Sequence, residues 1–195
     1  MRKRFDEEYY ERFYRNRRTR AATPQDARRL AGFIASYLRH LDAVPNRILD
    51  IGCGLGHTLR YLGEEFSGAE TTGVEFSDYA CQRYGFESGS VVDYRATPPF
   101  DLVVCNDVVS YLDDETATAA IKNLTTLTTT ALFFGVITSD DHAVTDRKRT
   151  DERQYLRPAT WYRRRLHSRF VNVGGGLYLK KPCDIPLWAL ESLSP

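Results

Sequence analysis

Between positions 24 and 41 apolar residues recur at intervals of three and four: Leu30, Phe33, Ile34, Tyr37, Leu38 and Leu41 share one face of a helix. Thr23-Pro24-Gln25-Asp26 opens it, with threonine at the N-cap and proline at the first helical position. Pro45 closes it, and the period then shortens. Ile48–Ile51 reads as a short buried strand, His57–Phe66 as a helix burying Leu59, Leu62 and Phe66, and Thr71–Glu75 as a second strand. A short helix over Asp78–Tyr84 and strands at Ser90–Val92 and Leu102–Cys105 follow. Asp114–Thr129 reads as a helix although threonine is a mediocre helix former. Ala131–Ile137 is another apolar strand, residues 138–157 are a polar connection long enough to be a functional loop, and Arg157–His167 is a helix. Arg169–Val173 and Leu177–Lys181, joined by Gly174-Gly175-Gly176, close the chain as a hairpin.

Strand and helix alternate, which predicts a mostly parallel sheet with helices on both faces. In such sheets ligands bind beyond the carboxyl ends of the strands, near the switch in strand order. No internal repeat interrupts the 195 residues, a length suited to one domain with a substantial core.

Composition narrows the picture little: 42% hydrophobic and 27% charged residues are ordinary for a globular protein. No apolar stretch approaches the roughly 18 residues that span a bilayer. The basic N-terminus lacks an apolar h-region, so the expected setting is cytoplasmic, without a membrane. Cys53, Cys81, Cys105 and Cys183 form no C-x-x-C pair, so no metal site is expected, and reduced thiols are. Charge adds more. The net is +1, yet residues 1–20 carry eight Lys/Arg against four Asp/Glu and residues 140–170 carry nine against five. Residues 21–139 carry eight against fifteen, leaving an acidic body between two basic flanks. Such flanks suit either solvated helix faces or contact with an acidic partner such as nucleic acid.

The chemistry concentrates at strand ends. Arg47-Ile48-Leu49-Asp50-Ile51-Gly52-Cys53-Gly54-Leu55-Gly56-His57-Thr58 is a strand, an acid and a glycine-rich loop leading into a helix. Gly52 permits a tight turn and Gly54 a close approach of backbone to a ligand. The dinucleotide fingerprint needs a third glycine where this chain has His57, and no Gly-Lys-Ser/Thr follows for a phosphate loop. Glu75 ends the second strand 23 residues after Gly52, near the offset at which an acid meets ribose hydroxyls. Asp93, in Val91-Val92-Asp93-Tyr94, could accept a hydrogen bond from an adenine amine. Phe100–Leu112 opens from an apolar strand into polar residues where a reacting group would be held.

The order of these segments over about residues 45–137 resembles the class I S-adenosylmethionine-dependent methyltransferases of the small-molecule type. The resemblance implies a three-layer α/β/α sandwich whose seven-stranded, mostly parallel sheet ends in an antiparallel strand. It also implies an N-terminal helical lid or cap over 1–44 and an S-adenosylmethionine-binding domain over 45–195, in one globular unit. Asp50, Gly52, Cys53 and Gly54 would surround the methionine part of the cofactor, and Glu75 would bind ribose. Phe76 would pack near adenine, with Asp93 and Tyr94 at its edge. Asn106, beside Cys105 and Asp107, would lie near the sulfonium. The implied product is S-adenosylhomocysteine.

Tyr111 stands where many small-molecule members carry histidine. The Asn/Asp-Pro-Pro-aromatic motif of nucleic-acid amino-methyltransferases and the paired-glutamate loop of arginine methyltransferases are absent, so a small-molecule acceptor is favoured over nucleic acid or protein. A non-catalytic scaffold is the remaining alternative, and a dehydrogenase is remote. Catalytic candidates are Asp107, Tyr111 and, in the loop Ser139-Asp140-Asp141-His142, His142, whose ordinary pKa suits a base. Phe5, Tyr9 and Phe13, with Tyr10 and Tyr14 alongside, suit a helix packed on the body or a lid over the pocket. Trp161, with Tyr162, lines the acceptor pocket or buttresses the sheet.

Overall fold

A computed structural model describes residues 4–186. Seven strands form one sheet: β1 (Arg47–Ile51), β2 (Glu70–Glu75), β3 (Glu87–Ser88), β4 (Phe100–Asn106), β5 (Thr128–Gly135), β6 (Phe170–Gly174) and β7 (Leu177–Lys180). Their spatial order is β3-β2-β1-β4-β5-β7-β6. The first five are parallel, and β7 inserts antiparallel between β5 and β6. Strand order reverses between β1 and β4, so their carboxyl ends flank the crevice where such sheets take ligands.

Alternation along the strands builds two cores. Leu49, Val103, Cys105, Leu132 and Phe134 face one way, onto α5 (Asp114–Leu127) and α6 (Ala159–Leu166). Ile48, Leu102, Val104, Ala131 and Phe133 face the other, onto α2 (Pro24–His40) and α3 (His57–Glu65). Helix α2 starts as its sequence dictates, with a reciprocal capping box between Thr23 and Asp26 and proline in the first turn. Ala31, Ile34, Ala35 and Leu38 are fully buried under it, whereas Phe33 stays exposed. Helix α2 is thus part of the helical layer, and of the described residues before it Phe5, Tyr9, Tyr10, Phe13 and Tyr14 line the crevice.

That covering segment departs from a regular helix. A single turn, α1 (Glu7–Tyr10), capped by Asp6, runs into a π-helical turn over Glu11–Arg15, closed by Asn16 N–H donating to Glu11 C=O at 2.8 Å. The wider turn brings Tyr10 and Phe13 into the core with Tyr14 half-buried beside them. Elsewhere three boundaries move. The third strand is Glu87–Ser88 rather than Ser90–Val92, because the N–H groups of Asp93 and Tyr94 turn back onto Ser90 C=O. Helix α5 stops at Leu127, where the threonine run switches to strand β5. Helix α6 begins only after Pro158. Helix α4 (Asp78–Tyr84) lies as the sequence predicts. No helix among the described residues is long and apolar enough to cross a membrane.

Candidate functional site

The floor of the crevice is set by backbone. Gly52 and Cys53 N–H both donate to Val74 C=O, at 2.7 and 3.2 Å, which folds the glycine loop onto β2. Glu75, at the end of β2, completes the tie: Oε2 accepts from Gly54 N–H at 2.8 Å, and Oε1 from Phe76 and Ser77 N–H at 2.7 and 3.0 Å. A carboxylate has about four acceptor positions, so one remains for a ligand. Burial raises the pKa of Glu75 against those three donors. Asp50, 3% exposed at the end of β1, is pushed up to about 7, first by burial and second by the charge of Glu75. Gly52 has φ +79°, and a Cβ there would stand 2.3 Å from a Val108 methyl.

Beside this floor stands a strained residue. Asp107 follows β4 with φ +55°, a conformation costly for a residue with a side chain. Its N–H donates to Gly135 C=O at 2.8 Å. Burial pushes its carboxyl up to about 6.

Two adjoining cavities open on these groups. One, of about 180 Å³, is lined by Glu75, Phe76, Ser90, Val91, Val92 and Val108 among others. The second, of about 150 Å³, is lined by Asp50, Cys53, His57, Ile137, Arg149 and Gln154 among others. Gly52, Asn106, Asp107, Tyr9, Tyr14 and Tyr111 line both. Tyr14 stands at the partition, its hydroxyl 2.9 Å from where a Cβ on Gly54 would be.

The roof is made by side chains. Ser77 Oγ–H donates to Phe5 C=O, and the Tyr9 and Tyr111 hydroxyls meet at 3.1 Å. Arg4 bonds Asp151 Oδ2 at 3.3 Å and Arg153 C=O at 3.1 Å, joining the N-terminal segment to the 138–157 loop. Burial pushes the hydroxyls of Tyr9, Tyr10, Tyr14 and Tyr111 upward, so all four are neutral donors at physiological pH. His57 is held below its usual range by burial and then by Arg60.

Of the residues singled out from sequence, Asp50, Gly52, Cys53, Glu75, Phe76, Asn106, Asp107, Tyr10, Tyr14 and Tyr111 line one or both cavities. Gly54 sits beneath Tyr14 and donates to Glu75. Five others are placed elsewhere. Asp93 is exposed and outside both cavities, because the chain has already turned at Ser90; Tyr94 reaches away to Glu87 Oε2 at 2.9 Å. The Cys105 side chain is fully buried in the core beneath α5. His142 is exposed in a turn of the loop, outside both cavities. Trp161, on α6, is clasped between Arg157 and Arg165, with the latter's guanidinium 3.4 Å from the indole centre, and packs against the core beneath that helix. Ser90–Val92, and not Asp93, line the first cavity. Gly89 was the signal for this, since a Cβ there would meet Val74 at 2.9 Å and Tyr94 at 3.0 Å. Gln154 carried no signal, being one polar residue in a polar loop.

Comparison with known proteins agrees with this architecture. Residues 49–130 match the family model described as a methyltransferase domain. A ubiquinone biosynthesis O-methyltransferase of Bordetella avium is 30% identical over 81 residues, covering 35% of this chain and 33% of the relative. Its counterpart in Bordetella parapertussis is 32% identical over 83 residues, with the same coverage. The chain thus spans about a third of the length of the curated relatives it matches. In three dimensions, Streptomyces venezuelae DesVI aligns with a TM-score of 0.61 at 17% identity, covering 81% of this chain and 92% of the other. CalS10, an amino pentose methyltransferase from Micromonospora echinaspora solved with S-adenosylmethionine, aligns at 0.61 and 14% identity, covering 80% and 92%. Residues 49–130 are thus similar to a methyltransferase domain, and the described chain shares the Rossmann-like fold of these solved methyltransferases.

Proposed function

We propose that this protein transfers a methyl group from S-adenosylmethionine to a small-molecule acceptor. The observation that carries the reading is Glu75, locked by three backbone N–H groups at the rim of a cavity that the glycine loop, Ser90–Val92 and Asn106–Asp107 share. The residues fit the cofactor. Gly52 lines both cavities with bare backbone, Phe76, Val92 and Val108 offer apolar walls for a purine, and Glu75 keeps an acceptor position for a ribose hydroxyl. When bound, S-adenosylmethionine supplies a methyl group already activated by a positive sulfur. The chain then has to align the acceptor, exclude water and take up a proton where the acceptor carries one.

Phe5, Tyr9, Tyr10 and Tyr14 exclude water from above. The phenols stay un-ionised, and among the carboxylates of the lining Asp107, ionised above a pKa of about 6, is the one that faces both cavities, which makes it the best-placed proton acceptor. Part of the charge of the basic flanks is neutralised within the chain. Arg4, Arg149, Arg153 and Arg157 are all paired with carboxylates of this chain, at 3.3, 3.4, 3.1 and 2.6 Å. The four free cysteines suit a reducing, cytoplasmic setting.

Calorimetry tests the assignment. The protein should bind S-adenosylhomocysteine, and Glu75→Ala should weaken that binding by roughly a hundredfold, since a charge-assisted hydrogen bond and the loop's anchor are lost together. No binding to the wild type, or equal affinity in the variant, would refute it.

A further inference from the structure

Charge is divided between two parts of this chain. Residues 116–139 and 158–183, which supply β5, α6, β6, β7 and nearly all of α5, contain no aspartate or glutamate. They carry Lys122, Arg163, Arg164, Arg165, Arg169, Lys180 and Lys181. The rest of the chain holds twenty Lys/Arg against twenty-six Asp/Glu. Every ion pair among the described residues falls in that remainder.

The fold gathers these cations on one face. On α5, Thr118, Lys122 and Thr125 follow at intervals of four and three and so lie in a row. Arg165 Nε donates to Thr118 Oγ1 at 3.0 Å at one end of the row. Lys180 Nζ bonds Thr125 C=O at the other end, and Thr128 C=O at 3.1 Å beyond it. Lys122 stands exposed between them. Lys181 N–H donates to Arg169 C=O at 2.8 Å, which sets both of these beside Lys180. Arg163 and Arg164 are exposed in the last turn of α6. Burial first and the charge of Arg169 second push the Lys180 ammonium below its usual range, so like charges are crowded here and not neutralised. Lys180 pairs with Phe170, where β6 begins, and bonds Thr128, where β5 begins. The face therefore sits toward the amino ends of the parallel strands, whereas the crevice lies at their carboxyl ends.

An anionic partner for such a face could be a bilayer, an acidic protein or a nucleic acid. Peripheral membrane sites join cations to apolar side chains that enter the interface, and protein interfaces have an apolar, aromatic centre. The large exposed hydrophobics of the described chain are Phe33, Val44, Tyr84, Val144, Tyr155 and Leu156, and none comes from α5, β5, α6, β6 or β7. Binding to a phosphate backbone runs on charge and counter-ion release and needs no apolar centre. Arginine, four of the seven cations, presents a fork that matches phosphate oxygens.

We propose that the face formed by α5, α6 and the ends of β6 and β7 docks on the phosphate backbone of a nucleic acid, without regard to base sequence. It serves as a tether remote from the crevice, so the docked chain is not the methyl acceptor. This goes beyond the methyl-transfer reading, and neither depends on the other.

Fluorescence anisotropy of the intact protein with a labelled, mixed-sequence DNA duplex of about 20 base pairs tests it. In about 50 mM salt the Kd should be near 10⁻⁶ M, on the order of a micromolar, and log K should fall against log salt with a slope of about −3 to −4, roughly −0.9 per phosphate engaged. Lys122→Glu, Arg164→Glu and Arg169→Glu together change exposed side chains that have no ion-pair partner among the described residues. This triple variant should keep its urea unfolding and its affinity for S-adenosylhomocysteine. Its affinity for the duplex should drop at least about a hundredfold, and the salt slope should flatten by roughly 2 to 3. If the triple variant unfolds, Arg164→Glu alone carries the test, with a loss of about tenfold. The matched control Arg17→Glu, Arg18→Glu and Arg28→Glu, exposed cations outside this face, should lose less than about tenfold. No duplex binding, equal losses in the two triple variants, or tighter binding to phosphatidylglycerol vesicles than to the duplex overturns the proposal.

Discussion

The floor and the roof of this crevice are built by opposite means. In the floor, the glycine loop is tied to Val74 by main-chain hydrogen bonds fixed by strand register, and the Glu75 carboxylate gathers three further backbone N–H groups. The roof joins residues 4–15 to residues 138–157 through side chains far apart in sequence, such as Arg4 with Asp151 and Tyr9 with Tyr111. Backbone bonds survive substitution of most side chains, whereas each roof contact depends on two particular residues. The floor's geometry is therefore held largely by the chain itself and by Glu75, and the roof's by pairs of particular side chains.

The harshest way to break that contrast is to damage the floor through its backbone. Gly52→Ala forces a side chain onto φ +79° and into a Val108 methyl that cannot swing far on its branched stem. The expected outcome is loss of about 1–3 kcal/mol in urea unfolding and a fall of S-adenosylhomocysteine affinity beyond a hundredfold by calorimetry. Near wild-type affinity would mean the loop is not a rigid cradle.

What could be read from sequence divides along the same line. Asp50, the glycines and Glu75 were legible because strand-end acids and a tight turn are local features with a fixed offset. Six of the seven strands were placed to within a few residues, because a parallel sheet leaves long apolar runs. Asp93 misled because the two-residue β3 carries almost no hydrophobic pattern, so the turn at Ser90 was read as strand. His142 misled because an imidazole's suitability says nothing about where a 20-residue loop puts it. Gln154 and Arg4 were invisible because their partners are set by tertiary folding alone.

A second test concerns charge in the floor. In the unfolded chain Asp50 ionises near 3.8, while in the fold it keeps its proton until about 7. Between those values the native state holds the extra proton, so this group makes stability fall as pH rises and its effect is complete above pH 7. Asp107 acts in the same direction up to about 6, and His57, whose pKa is lowered, acts in the opposite one. The comparison must therefore be between proteins. Asp50→Asn should gain on the wild type steadily from pH 4 to pH 7 in urea unfolding and level off above. A constant difference would show that the floor does not burden Asp50 with its charge.

Smaller effects are expected in the roof. Arg4→Ala removes the bonds to Asp151 and to Arg153 C=O, but Arg153 still neutralises Asp151. Amide exchange should quicken in residues 4–15 and around 151–154 together, with global stability lower by only about 1 kcal/mol. Quickening on one side alone would show that the two segments open independently.

The mildest change is Tyr9→Phe, which keeps every ring contact and deletes one hydroxyl, 3.1 Å from that of Tyr111. Tyr111 is then held by Gln154 and by the Phe5 ring, 5.3 Å away between centroids. The loss should lie in the range of about 0.5–1.5 kcal/mol, near its lower end because the ring packing is untouched. S-adenosylhomocysteine affinity should not change, since no floor bond involves Tyr9. If deleting this hydroxyl slackens amide exchange at Gly54 and Ser77 as much as at Gln154, floor and roof open as one cooperative unit, and the division of labour drawn between them fails.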